Sequence, residues 1–301
     1  MPQTDTLQDL DQVTIIIVTY NSAHCLQAQV PLLSGAAHVM LVDNNSRDDT
    51  VATARALLPQ AQIIENTANR GFGAANNLAL RQVKTPYALL LNPDCNLSPE
   101  ALGRLVNFAN TNPETAIVAP QIVDPKGRPD LNYRWPNFSW KAKGPAAEGP
   151  CCVGFACGAC LLLNMAQMEH VGFFDESFFL YYEDDDLCTR AFLQHRPIVV
   201  VPDALAVHAS RGSVGGQFRW RSEYLRGFHH AQSKLLYSHR YQGPQAANRL
   251  RWRVLTGALL MIPFRTLFFS PSLISRLAGR IAGLWKFKAR VSSIRATRSN
   301  Y

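Results

Sequence analysis

The sequence predicts an α/β fold built on a mostly parallel central sheet with helices on both faces, followed by a basic helical extension. Three observations carry that prediction. Over about the first 120 residues, short β-branched or Leu-rich runs alternate with stretches long enough for a helix. The 301 residues are 47% hydrophobic and 17% charged, enough apolar material for a sizeable core and too much for a disordered or collagen-like chain. The charge is also divided: from Arg211 onward there are 17 Lys/Arg and one acid, Glu223, against 13 Lys/Arg and 21 acids before it.

The apolar runs at 13–19, 38–43, 62–66, 87–91 and 116–123 read as strands, and the gaps between them hold helices and loops. Function in such a sheet belongs at the carboxyl ends of the strands. Residues 124–150 turn Gly/Pro-rich and aromatic, with Tyr133, Trp135, Phe138 and Trp140, and read as an ordered binding loop or lid. A strand at 159–163, a helix at 165–171, a helix at about 185–195 and a strand at 197–201 complete the body, so the expected boundary falls between a domain at 1–216 and an extension at 217–301. In that extension an uncharged run at 254–264 is followed by a second at 266–275, with Pro263 and Arg265 between. A bilayer span needs about 20 consecutive apolar residues. An interfacial or re-entrant amphipathic element is expected instead, flanked by Arg249, Arg251, Arg253, Arg276, Arg280, Lys286 and Lys288. The basic extension points to an anionic membrane surface; no nucleic-acid recognition signature accompanies it, so no nucleic acid is expected.

Seven cysteines, at 25, 95, 151, 152, 157, 160 and 188, fit reduced thiols better than a disulfide framework. Cys157 and Cys160 form a C-x-x-C spacing with no second pair, which reads as packing rather than metal binding. Residues 1–12 contain acids and no apolar core, so no signal peptide is expected and the folded body belongs on the cytoplasmic side.

The residues that carry chemistry sit where strands end. Val18-Thr19-Tyr20-Asn21 closes the first strand and Val42-Asp43-Asn44-Asn45-Ser46 the second. A carboxylate there accepts hydrogen bonds from a ribose or base, or organises the start of the next helix. Asn69-Arg70-Gly71-Phe72-Gly73-Ala74-Ala75-Asn76 follows the third strand and opens a helix, so N–H groups near Gly71 and Gly73 could face a phosphate. It is not a dinucleotide fingerprint: the third glycine is missing and the position is wrong, which disfavours a nicotinamide oxidoreductase. Leu91-Asn92-Pro93-Asp94 offers an oxygen ligand for a hard divalent cation, and His208 ends a strand-like approach to the same crevice. Glu183-Asp184-Asp185-Asp186 follows an aromatic run; four adjacent acids repel one another and raise at least one pKa, which suits a general base. The same acids favour a helix start, with Asp186 pairing Arg190 one turn on.

Taken in order, the motifs at 18–21, 42–46, 69–77, 91–94, 172–176 and 182–188 resemble those of family 2 glycosyltransferases, most of all the bacterial rhamnosyltransferase-like enzymes of O-antigen and cell-wall polysaccharide assembly. The resemblance covers about residues 13–216. It implies a GT-A fold, a nucleotide-diphosphate sugar donor, Mg2+ or Mn2+, and inversion at the anomeric carbon. It further implies that Thr19, Tyr20, Asn21, Asp43 and Asn45 line the nucleotide and that Arg70, Gly71, Asn76 and Glu183 lie along the substrates. Asp94 and His208 would hold the metal, and Asp184 would take the proton from the acceptor hydroxyl. Asn92 stands where the family's D-x-D motif begins with an acid.

The expected reaction is transfer of a sugar, rhamnose from dTDP-rhamnose by overall resemblance, to a lipid-linked or polysaccharide acceptor at the cytoplasmic face of the bacterial inner membrane. The alternatives are another donor (UDP-galactofuranose, UDP-glucose or GDP-mannose) or a non-catalytic scaffold subunit that binds sugar nucleotides.

Overall fold

The computed structural model describes residues 10–131, 133–134, 145–209, 219–267 and 271–287. Trp135, Phe138, Trp140, Lys288 and part of the run at 266–275 lie outside the described residues, as do residues 1–9 of the stretch read for a signal peptide. The chain divides into two compact units, Met1–Gln217 and Phe218–Tyr301.

In the first unit β1 (Val13–Thr19), β2 (His38–Asp43), β3 (Gln62–Glu65) and β4 (Tyr87–Leu91) alternate with α1 (Ala23–Leu33), α2 (Thr50–Leu57) and α3 (Phe72–Leu80). Then follow β5 (Cys95–Leu97), α4 (Pro99–Thr111), β6 (Ile117–Val123), β7 (Cys151–Val153), β8 (Cys160–Asn164), α5 (Met165–Val171), α6 (Glu183–Leu193) and β9 (Ile198–His208). The nine strands form one sheet in the order β3-β2-β1-β4-β8-β6-β9-β5, with β7 also paired to β9. Strands β1 to β4, β6 and β9 run one way and β5, β7 and β8 the other. The carboxyl ends of the first set and the start of β8 therefore share one edge.

Alternation along β1 shows how the layers form. Ile15 and Ile17 face a core with Leu32, Leu33, Leu102, Leu105 and Val106 of α1 and α4. Ile16 and Val18 face the other side, with Ala75, Ala79, Met168, Leu187 and Ala191 of α3, α5 and α6. Each such side chain, fully buried, is worth about 1.5–3 kcal/mol. Helix α4 begins where local chemistry dictates: Pro99 takes the first position and Ser98 Oγ accepts the Ala101 N–H at 3.1 Å.

Several expected boundaries move. The helix expected at about 185–195 begins at Glu183 and ends at Leu193. The strand expected at 197–201 continues to His208. Pro202 does not stop it, because the register slips: Pro120 pairs with Val201 but Gln121 with Leu205, leaving 202–204 as a bulge that needs no ladder donor. The three-residue strands β5 and β7 were not expected, being too short to show periodicity.

The second unit comprises α7 (Arg219–Gln242), α8 (Pro244–Leu267) and α9 (Pro271–Trp285) around Ala231, Leu235, Leu255 and Leu284. Helices α7 and α9 touch backbone to backbone: a Cβ on Gly279 would lie 2.0 Å from the Tyr224 carbonyl oxygen, and one on Gly227 2.1 Å from that of Arg276. Helix α8 passes through Pro263 without ending. Its polarity varies along its axis more than around it, with Arg249, Arg251 and Arg253 in one half and exposed Leu259, Leu260, Met261 and Phe264, followed by Arg265, in the other. The face-wise amphipathic pattern expected of this stretch belongs to α9 instead. No helix among the described residues is long and apolar enough to cross a membrane.

Candidate active site

Thr19 and Asp43 end β1 and β2 in register. Asp43 is 3% exposed, and its carboxylate accepts hydrogen bonds from Thr19 Oγ1 at 3.1 Å, Ser46 N–H at 2.8 Å and Ser46 Oγ at 2.5 Å. Its first task is thus to shape its own turn. Asn21 and Asn45 take left-handed backbone conformations, φ 54° and 69°, and Asn21 is tied to the same turn through Ser46 Oγ and the Arg47 N–H. Tyr20 precedes Asn21, its N–H on Ser22 Oγ.

The segment opening α3 departs from the phosphate-cradle expectation at one point. The Gly71 N–H bonds Asn69 Oδ1 at 3.0 Å and the Phe72 N–H bonds the Phe179 carbonyl at 3.1 Å. Gly71 is required by its backbone: φ is +89°, and a Cβ would meet Phe179 O at 2.2 Å. Asn44, passed over in the sequence, stitches this loop by donating to Asn69 Oδ1 and Gly71 O and accepting from Arg70 N and Asn66. The Arg70 guanidinium is exposed, 4.0 Å from Glu176. Asn76 is buried and donates to Phe72 O of its own helix at 3.0 Å.

Asp94 and His208 meet as the resemblance implies. Residues 95 and 208 pair across β5 and β9, and His208 Nε2 lies 3.4 Å from Asp94 Oδ1. The intervening turn is held by a residue with no sequence signal: Gln29 of α1, 1% exposed, donates to Pro93 O, Cys95 O and Asn96 Oδ1 at 2.9–3.0 Å. Asn92 Oδ1 is buried without a hydrogen-bond partner among the described residues. Two carboxylate or amide oxygens and an imidazole suit a divalent cation that completes its shell from phosphate and water. No cluster of three His, Cys, Asp or Glu among the described residues forms a closed metal cage.

The acidic run opens α6 behind two tyrosines in the left-handed region, Tyr181 at φ 68° and Tyr182 at 69°, a strained elbow for bulky residues. Each acid has a separate environment. Asp186 is fully buried and paired with Arg190 at 2.9 Å, whose guanidinium also bonds the Val171, Gly172 and Phe173 carbonyls. Asp185 pairs with Arg134; burial and the Asp184 charge push its pKa up to about 6 against the pull of Arg134. Glu183 is 6% exposed with Oε2 unpartnered among the described residues, and burial followed by the Asp184 charge carries its carboxyl well above the usual range. Burial also raises Asp184, opposed by the N–H groups of Gly158 at 3.1 Å and Asp185 at 3.0 Å and by Arg134.

Asp184 and the Asn92–Asp94 turn are linked through two consecutive residues, Gly158 and Ala159. Gly158 N–H donates to Asp184, and Ala159 O accepts the Asn92 N–H at 2.9 Å. A cleft of about 680 Å3, lined by Asp124, Arg128, Asp130 and His208 among others, opens beside the imidazole. The Cys157 thiol feels the charges of both Asp184 and Asp130, and burial raises its pKa. All seven cysteines are free, with Cys95, Cys160 and Cys188 buried.

The family model "Glycosyl transferase family 2" matches residues 14–199. The chain is 28% identical over 288 residues to an N-acetylglucosaminyl-diphospho-decaprenol L-rhamnosyltransferase of Mycobacterium tuberculosis, covering 83% of this chain and 91% of that one. It is 27% identical to the low-salt glycan biosynthesis hexosyltransferase Agl10 of Haloferax volcanii, over 71% of this chain and 72% of the relative. Among solved structures it resembles a Pyrobaculum calidifontis mannosyltransferase in complex with GDP-Man and Mn2+, at TM-score 0.54 and 18% identity over 92% of this chain and 88% of the other. It also resembles GalNAc-T7 with UDP, GalNAc and Mn2+, at TM-score 0.52 and 13% identity over 77% of this chain and 51% of the other. These likenesses show a GT-A fold.

Proposed function

Because the chain belongs to glycosyl transferase family 2, and is therefore a glycosyltransferase, we propose that it moves a sugar with inversion from a nucleoside diphosphate to a hydroxyl of a polyprenyl-linked acceptor. The observation that carries the reading is the Asp184 carboxylate, held by the Gly158 N–H while the carbonyl of the next residue, Ala159, binds Asn92. An ionised Asp184 accepts the proton of the acceptor hydroxyl as its oxygen attacks the anomeric carbon from the face opposite the leaving group. The transition state is oxocarbenium-like, as in other glycosyl chemistry. Asp43, with Thr19, Tyr20, Asn21 and Asn45, bounds the nucleotide subsite; Arg70, Gly71, Asn76 and Glu183 border the donor. Asp94, His208 and the Asn92 amide oxygen would hold Mg2+ or Mn2+, which when bound offsets the charge gathering on the leaving diphosphate.

Transfer of rhamnose and a lipid diphosphate acceptor are supported by the name of the mycobacterial relative; dTDP-rhamnose is the donor we propose on that basis. The test is a transfer assay with a short-chain polyprenyl-diphospho-N-acetylglucosamine as acceptor. Four donors compete in it: dTDP-rhamnose, UDP-glucose, UDP-galactofuranose and GDP-mannose. Preferred turnover of dTDP-rhamnose supports the reading, and preference for another donor replaces that part of it.

Helix α8 supports residence at a membrane surface, in keeping with the cytoplasmic face of a bacterial inner membrane. Its arginines would meet anionic headgroups while Leu260, Met261 and Phe264 enter the acyl boundary. The division of labour is then a catalytic domain at 1–216 and a membrane-seating extension at 217–301.

A further inference from the structure

We propose that Arg134 is a positioning residue for the transfer reaction: locked to the 154–155 backbone and to Asp185, it sets the orientation of the acidic helix start and places the positive charge that faces Asp184. The inference rests on the reading of Asp184 as the base. Backbone and side-chain contacts both fix Arg134. Its N–H donates to Phe155 O at 3.0 Å and its carbonyl accepts the Gly154 N–H at 2.9 Å, a two-bond bridge to the segment that leads to Gly158. Its guanidinium stands over the Phe155 ring at 4.1 Å and bonds Asp185. The side chains of Arg134 and Asp185 are only 16% and 11% exposed, so their charges are weakly screened.

Among the described residues, the charged and titratable groups coupled to Asp184 include Glu183, Asp185 and Cys188 of α6, Cys157 of the adjoining loop, and Arg134, which is bonded to the neighbouring Asp185. Burial keeps the Glu183 carboxyl and the two thiols neutral, so among these described groups Asp185 is the carboxylate that opposes a charge on Asp184 and Arg134 the cation that favours it. A surface arginine of purely structural use would not need this seat, since a buried pair gains little over apolar packing.

The test compares pH profiles of kcat for the wild type, R134Q, R134K, D185N and D184N, with dTDP-rhamnose and the short-chain acceptor. R134Q should move the acid limb up by about one pH unit, with kcat recovering on the alkaline plateau, and R134K should restore most of that shift. D185N removes a repelling carboxylate and leaves Arg134 to Asp184, so its acid limb should move down. A limb unmoved in R134Q, or an even loss across the pH range that R134K does not relieve, overturns the proposal. Should R134Q fail to fold, D185N decides: a downward shift supports the proposal and an unmoved or upward limb overturns it. D184N separates the two levels, because near-wild-type turnover in D184N defeats the base assignment itself, whereas an inactive D184N with an unmoved R134Q limb defeats only the role of Arg134.

Discussion

The Gly158 nitrogen and the Asp184 carboxylate are 3.1 Å apart, and the same glycine leaves little space for a side chain: a Cβ there would sit 3.3 Å from Asp184 Cβ and 3.4 Å from Oδ2. G158A should therefore displace the carboxylate by a few tenths of an ångström. Misplacement of a reacting group by about 1 Å costs about 10²-fold. The expected result is a kcat lowered by about tenfold with the melting temperature little changed, read by steady-state kinetics and a thermal melt.

Glu183 provides a stability test. Its folded-state pKa lies above the ordinary carboxylate value, so the native state holds a proton that the unfolded chain has released. That contribution is full in mild acid and is lost as pH rises from the unfolded to the folded value. E183Q removes the titration. Its melting temperature should exceed that of the wild type near neutral pH, by about 2–4 °C for each kcal/mol, and converge with it in mild acid; a difference independent of pH would contradict the assignment.

Gln29 holds the Pro93–Asn96 turn from behind. Q29L removes the two N–H groups that the Pro93 and Cys95 carbonyls and Asn96 Oδ1 share, at a cost of about 1–3 kcal/mol. The expected outcome is a lower melting temperature and a higher Mn2+ concentration for half-maximal activity. Activity that saturates at the wild-type Mn2+ concentration would show that the turn is held by other contacts.

Helix α8 predicts binding to phosphatidylglycerol vesicles that weakens as salt screens its arginines. Burial of each large side chain is worth about 1.5–3 kcal/mol, so the double variant L260E/F264E should lower vesicle partitioning by about tenfold or more. Equal sedimentation of both proteins with vesicles would remove α8 from the account.

How much of this was legible in the sequence follows from what each residue does. The strands and layers were visible because Ile15 to Val18 bury alternate faces in two cores, which forces apolar runs. Asp43, Asp94, His208 and Asp184 were visible as polar residues punctuating those runs. Gln29, Asn44 and Arg134 were not: they work through hydrogen bonds across 22 residues or more of sequence, as in Arg134 to Asp185, 51 residues apart, and a polar residue on a helix or loop gives no local sign of a distant partner. The bulge in β9 was hidden for the opposite reason, since Pro202 and Asp203 look like a strand end until the register slip is seen.

The central claim is that an ionised Asp184 activates the acceptor hydroxyl, and D184N tests it most directly when turnover and nucleotide-sugar affinity are measured on the same preparation. The account predicts that kcat falls by about 10²–10⁴-fold while the dissociation constant for the donor stays within about threefold of wild type, a difference below about 1 kcal/mol. A D184N enzyme that keeps near-wild-type kcat would contradict it.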